Sequence, residues 1–181
     1  MDIRFVDFAD LTAAQRAEAA RVLRDGFVRQ PAWQDAGEAE AEVATFFEDP
    51  DRWAIAALEE DAVRGWVGLI ETYPSGWEMH PLVVDPAVQR RGLGGRLVAE
   101  VEARAKAKGA LVLYLGTDDE YGGTNLFGQD LFPDVAGRIA TLAETGGHAY
   151  AFYRRQGYEV VGLLPDVNGL GKPDILMAKR L

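Results

Sequence analysis

Cysteine is absent from the chain. Disulfides, thiolate metal sites and a cysteine nucleophile are excluded together. Histidine is nearly absent as well: only His80 and His148 occur, too few and too dispersed to suggest a metal centre. No apolar run approaches the ~20 residues that span a bilayer, so no membrane association is expected. The N-terminus carries Asp2, Asp7 and Asp10 rather than a basic-then-apolar leader, which makes a cytoplasmic location the default expectation. Positive charge is in the minority, with 19 Lys and Arg against 29 Asp and Glu and a net charge of -10. Nucleic acid is therefore not an expected partner, since it needs a positive patch. A polycationic small molecule would be steered inward by such a field, although an acidic surface also serves solubility alone.

What is present describes a soluble globular protein. The 181 residues, 48% hydrophobic and 27% charged, suffice for one domain over residues 1–181 with a real core. Ile3, Phe5 and Val6 suggest a first strand. Thr12 and Gln15 have capping-box spacing, and Ala13, Ala17, Ala20, Leu23 and Phe27 mark one face of the helix that follows. After a turn at Gln30-Pro31-Ala32-Trp33, Ala39, Val43, Phe46 and Phe47 mark a second helix, with Glu38, Glu40 and Glu42 on its outer face. Residues 53–58 and 65–73 read as a hairpin around a turn at 61–64. Residues 77–84 form the next strand. A helix then runs to Gly109, and residues 111–116 read as a strand buried on both faces. Residues 117–147 are rich in Gly, Asp and Asn, with a short helix over 135–144; a loop this long is functional or disordered. A helix over 149–156 and strands over 158–164 and 174–178 complete an α/β fold, a mixed sheet flanked by helices.

The most informative stretch is Gln89-Arg90-Arg91-Gly92-Leu93-Gly94-Gly95, set between a buried strand and a helix whose apolar face is Leu93, Leu97, Val98 and Val101. Glycines there let the backbone approach a ligand, and the first helical amides have no partner within the helix. Free N–H groups, the helix dipole and the arginines all favour an anion such as a pyrophosphate. The third glycine of a dinucleotide fingerprint is missing, and so is the Gly-Lys-Ser/Thr ending of a P-loop.

This Q-x-x-G-x-G pattern resembles the acetyl-coenzyme A loop of the GCN5-related N-acetyltransferases. The segment from Ala149 to Tyr158 resembles their A-x-x-F-Y-x-x-x-G-[FY] block. Four blocks are more specific: Trp77-Glu78-Met79-His80-Pro81-Leu82-Val83-Val84, Tyr114-Leu115-Gly116-Thr117-Asp118-Asp119, His148-Ala149-Tyr150 with Phe152-Tyr153, and the stretch from Gly162 through Pro165, Asn168-Gly169 and Lys172-Pro173-Asp174 to Lys179. They are similar, in the same order, to the aminoglycoside 6'-N-acetyltransferases, nearest to the chromosomal, dimeric branch. Ala149 departs from the proline often found after the histidine. The first 60 residues match mainly in layout.

The resemblance implies a sheet that is mostly antiparallel and splayed at the acetyl-CoA site. It also implies acetyl-CoA as co-substrate, no metal, direct transfer in a ternary complex, and a homodimer. Residues Gln89, Arg90, Arg91, Gly92, Leu93, Gly94 and Gly95 would hold the diphosphate. Leu82, Val83 and Val84 would offer backbone groups to the pantetheine, with Tyr150 also at the cofactor. Tyr153 would lie beside the coenzyme sulfur and donate a proton or a hydrogen bond to the departing thiolate. The attacking amine must lose a proton. Glu78 and His80 alternate by two along one strand and so share a face, and either acts directly or through a water. For a polyamine sugar, carboxylates and aromatic faces are needed; Trp33, Glu38, Tyr73, Trp77, Asp118 and Asp119 are the candidates. Two other readings remain open: the same chemistry on a polyamine or protein lysine, and a non-catalytic module that binds coenzyme A or cationic drugs.

Overall fold

A computed structural model describes residues 2–181, which group into two compact units: the residues up to Leu111 together with Leu181, and Val112–Arg180. The first unit holds β1 (Ile3–Asp7), α1 (Ala13–Gly26), α2 (Ala36–Glu48), β2 (Arg52–Glu59), β3 (Ala62–Ile70), β4 (Gly76–Val84) and α3 (Leu93–Ala107). Its strands pair in chain order, each antiparallel to the next. The capping box forms: the Gln15 amide donates to Thr12 Oγ1 at 3.3 Å, and the Thr12 amide to Gln15 Oε1 at 3.0 Å. Ala19, Ala20 and Leu23 of α1 and Ala39, Val43 and Phe46 of α2 then pack with Phe8 and Trp66 into one core. Trp66 is fully buried, and its indole N–H donates to the Ala19 carbonyl at 3.0 Å, so the largest core side chain leaves no polar atom unsatisfied.

The hairpin turn is tighter than its sequence suggests. Pairing continues to Glu59 opposite Ala62, leaving Glu60, with φ 55°, and Asp61 as the turn. The register slips between Ala57 and Leu58, so Arg64 is an extra residue that the bulge absorbs, and Ala62–Arg64 belong to β3.

The second unit holds β5 (Val112–Asp118), α4 (Val135–Ala140), α5 (Ala149–Arg155), β6 (Glu159–Leu164) and β7 (Asp174–Arg180). Here β7 lies between β5 and β6, antiparallel to both. The expectation that β5 is buried on both faces is corrected: Leu113, Leu115 and Thr117 are buried, while the residues between them are partly or fully exposed. On and after β6, Val161, Leu164, Val167 and Leu170 are exposed. Among the described residues no helix is long and apolar enough to cross a membrane.

Candidate active site

The connection from β4 to α3 is built by its own side chains. Asp85 is 5% exposed and caps the 3-10 turn Pro86–Val88, accepting from the Ala87 amide at 2.9 Å. It also accepts from Arg21 at 3.0 Å, with Arg64 at 3.8 Å. Burial pushes the Asp85 carboxyl up, but the amide and the two guanidiniums outweigh it and hold the group below the usual carboxylate range. The Gln89 side chain donates to the Val84 carbonyl at 3.0 Å, so this side chain serves the loop itself. Gly92 has φ 85°, a left-handed conformation that suits glycine. The first helical bond of α3 is Arg96 N–H to the Gly92 carbonyl at 3.2 Å, which leaves the amides of Leu93, Gly94 and Gly95 without intrahelical acceptors. No side chain caps this end, and its first turn contains no acid. A Cβ at Gly92 would meet nothing within 4 Å, so open space lies in front of it. Arg90, Arg91 and Arg96 are exposed around this end. A donor-rich, positive turn on a chain of net charge -10 fits a diphosphate.

Along β4 the burial alternates. Trp77, Met79, Pro81 and Val83 are buried; Glu78, His80, Leu82 and Val84 are partly exposed. Glu78 and His80 therefore share the more open face, while Trp77 is withdrawn from it. Its expected contact with a sugar is corrected: Trp77 is 5% exposed, with its ring 6.1 Å from that of Trp53. Met79 pairs with Leu69 and Leu82 with Val67, so His80 and Pro81 face Gly68 alone, a bulge of the kind that re-aims side chains beside active sites. Leu82, Val83 and Val84 are in register with Val67, Trp66 and Gly65.

Gly68 is required by close approach: a Cβ there would collide with the Phe46 ring of α2 and the His80 carbonyl. One helical turn before Phe46, Glu42 reaches the bulge, with Oε1 3.7 Å from His80 Nε2 and 3.4 Å from Arg52 Nη1. The Trp33 ring is 5.6 Å from the His80 ring and 4.8 Å from that of Phe27, on a backbone with φ 58°. The first unit thus brings Trp33, His80 and Glu42 together. Helical periodicity places Glu42 on the solvated face; its side chain is only 18% exposed. Glu38 and Tyr73 are at the surface.

In the second unit, Asp119 is corrected from an acceptor-site candidate to a loop organiser. It is fully buried and accepts from the Gly123 amide at 2.8 Å, the Thr124 amide at 2.8 Å and Thr124 Oγ1 at 2.7 Å. Asp118 is partly exposed and accepts from the Asn168 side chain. Next to it, burial and the Asp118 charge push the Glu120 carboxyl up against the pull of Lys172. Motif spacing assigns no role to His148. It is 2% exposed and caps α5: Nδ1 accepts from the Tyr150 amide at 3.1 Å, and Nε2 lies 3.0 Å from the Asp118 carbonyl. Those partners select the neutral tautomer with the proton on Nε2. Tyr150 and Tyr153 are thereby held on a short helix tied to the end of β5. Tyr153 is half-buried, its ring 5.1 Å from Phe152 and 5.8 Å from Tyr158, and burial pushes its phenol above the ordinary range. Among the described residues no group of three or more His, Asp or Glu side chains is placed to hold a metal ion.

Comparison with known proteins identifies the family. The family model for the acetyltransferase (GNAT) family matches residues 17–126. A solved aminoglycoside 6'-N-acetyltransferase complexed with coenzyme A is 34% identical, with 98% of this chain and 96% of that chain covered and a TM-score of 0.89. The aminoglycoside 6'-N-acetyltransferase from Enterococcus faecium is 35% identical over 99% of this chain and 97% of its own, with a TM-score of 0.86. An uncharacterized protein of Mycobacterium leprae (strain TN) is 26% identical over 153 residues, and this chain spans 35% of its length. The mixed α/β architecture is the one these acetyltransferases share, and the chain belongs to the GNAT family of acetyltransferases, which use acetyl-CoA.

Proposed function

We propose that the protein transfers the acetyl group of acetyl-CoA to the 6'-amine of aminoglycosides, directly, within a ternary complex. The observation that carries this reading is the likeness, over nearly the whole chain and at 34% and 35% identity, to two aminoglycoside 6'-N-acetyltransferases. The two units act as one acetyltransferase domain. The amides from Arg91 to Gly95 hold the diphosphate, while backbone groups of Leu82, Val83 and Val84, with Tyr150, guide the pantetheine. The ammonium of the acceptor gives its proton to Glu78 or His80, directly or through a water. The amine then forms the N–C bond as the C–S bond breaks, its second proton passes through water to the departing thiolate, and Tyr153 faces that sulfur. Trp33, Glu38, Tyr73 and Asp118 remain as acceptor contacts, in keeping with a polycationic sugar and a chain of net charge -10.

A thiol-release assay with acetyl-CoA and paired aminoglycosides tests the reading. Turnover is expected with compounds bearing a 6'-amine and none with their 6'-hydroxyl counterparts. Turnover regardless of that group defeats the regiochemistry, and turnover only with polyamines or lysine peptides moves the substrate to another amine. Homodimer formation covering Val161, Leu164, Val167 and Leu170 belongs to the same reading; light scattering on the same sample should give twice the chain mass, and a monomer would remove it.

A further inference from the structure

We propose that Glu42 is a positioning residue for His80, a carboxylate that holds the imidazole in one orientation at the β4 bulge. Its consequence for turnover rests on the acetyl-transfer reading above; the geometry does not. The contact is produced by packing, not by local sequence. Phe46 seats on Gly68, where no Cβ fits, and draws α2 onto the bulge. Glu42 and Phe46 lie four residues apart and share a helix face, so the carboxylate arrives beside the ring. Glu42 is itself held. Arg52 Nη1 lies 3.4 Å from its Oε1 and donates to Thr45 Oγ1 at 3.1 Å, and that hydroxyl donates to the Glu42 carbonyl at 2.7 Å. The 18% exposure of the Glu42 side chain contrasts with the exposed Glu38 and Glu40 on the same helix.

The charged groups around His80 are few. Glu42 faces it from α2. Arg52, at the start of β2, reaches it through Glu42 and divides its own charge with Asp49 at 3.5 Å. Glu78 shares its strand face. Trp33 supplies a ring on the connection before α2. At 3.7 Å the Nε2–Oε1 approach is of ion-pair length, longer than a hydrogen bond. Charge–dipole attraction orients the neutral ring, and the contact becomes an ion pair only when the ring takes a proton from the acceptor. This is the orienting partner that a histidine base needs to present one ring nitrogen consistently. His80 is 39% exposed, so solvent screening keeps the effect moderate.

Two readouts test the proposal. The chain has only two histidines, so the His80 ring resonances are identified by His80→Gln, and its side-chain rotamer preference is read from couplings in the free protein. Glu42→Gln, which keeps size and removes charge, should scatter that preference, and Glu42→Asp should keep part of it. An unchanged ring in a folded Glu42→Gln protein overturns the proposal. In turnover, Glu42→Gln should lower kcat about tenfold with KM for acetyl-CoA unchanged, and cost less than about twofold in a His80→Ala background, because interacting residues are non-additive. Equal cost in both backgrounds means Glu42 acts without His80 and also overturns it. If wild-type protein acetylates no amine, the proposed function falls, while the ring measurement still decides this inference.

Discussion

Replacing Tyr153 with phenylalanine is expected to lower kcat about 10²-fold, the usual cost of deleting one preorganised donor to a developing charge, with KM for acetyl-CoA within about twofold. The substitution removes one O–H and keeps the ring, so the contacts to Phe152 and Tyr158 survive. The direction of the phenol's shift favours one of the two roles a phenol could take here. An ordinary phenol titrates near ~10 and a thiol near ~8.5. Burial moves Tyr153 further up, so full proton transfer to a leaving thiolate is uphill. A hydrogen bond that strengthens as the sulfur gains charge costs no such transfer. On the proposed mechanism the phenol would act as a fixed donor that keeps its proton. The pH profile of kcat should keep its shape in Tyr153→Phe while falling in height. Steady-state thiol release across pH checks this; a variant as fast as wild type would leave Tyr153 a packing residue.

The second large effect concerns Gly92. Gly92→Val should raise KM for acetyl-CoA at least about tenfold, since a β-branched residue at positive φ costs of order 1–3 kcal/mol and rearranges the turn. Gly92→Asn separates the two reasons for glycine. Asparagine tolerates the left-handed region, so its variant should melt near wild type. Its side chain still enters open space, where a Cβ meets no protein atom. If the diphosphate occupies that space, Gly92→Asn binds coenzyme A weakly despite its intact fold, as calorimetry would show. Wild-type affinity in this variant would mean that the ligand does not use the space.

Much of this was legible in the sequence, for identifiable reasons. The capping box, the glycine turn and the period-two pattern of β4 are local features, and local features survive into the fold. The pattern of β4 also held information against one of its own residues. Once Glu78 and His80 face outward, Trp77 must face inward, yet aromatic character drew it toward the substrate. Asp119 could not be separated from Asp118 by type or position. What distinguishes them is the pair of amides and the hydroxyl that the following turn folds back onto Asp119. Glu42 and His148 depend on contacts between segments distant in the chain: α2 against β4 in one case, the start of α5 against the end of β5 in the other. Helical periodicity sees neither. The hairpin turn moved because a bulge absorbs one residue, and nothing in residues 61–64 marks that slip.

A crystal structure of the protein with coenzyme A would show where the diphosphate lies. The diphosphate is expected against the amides of Arg91 to Gly95, with the pantetheine running along Leu82, Val83 and Val84. Coenzyme A bound away from that turn, leaving those amides to water, would contradict it.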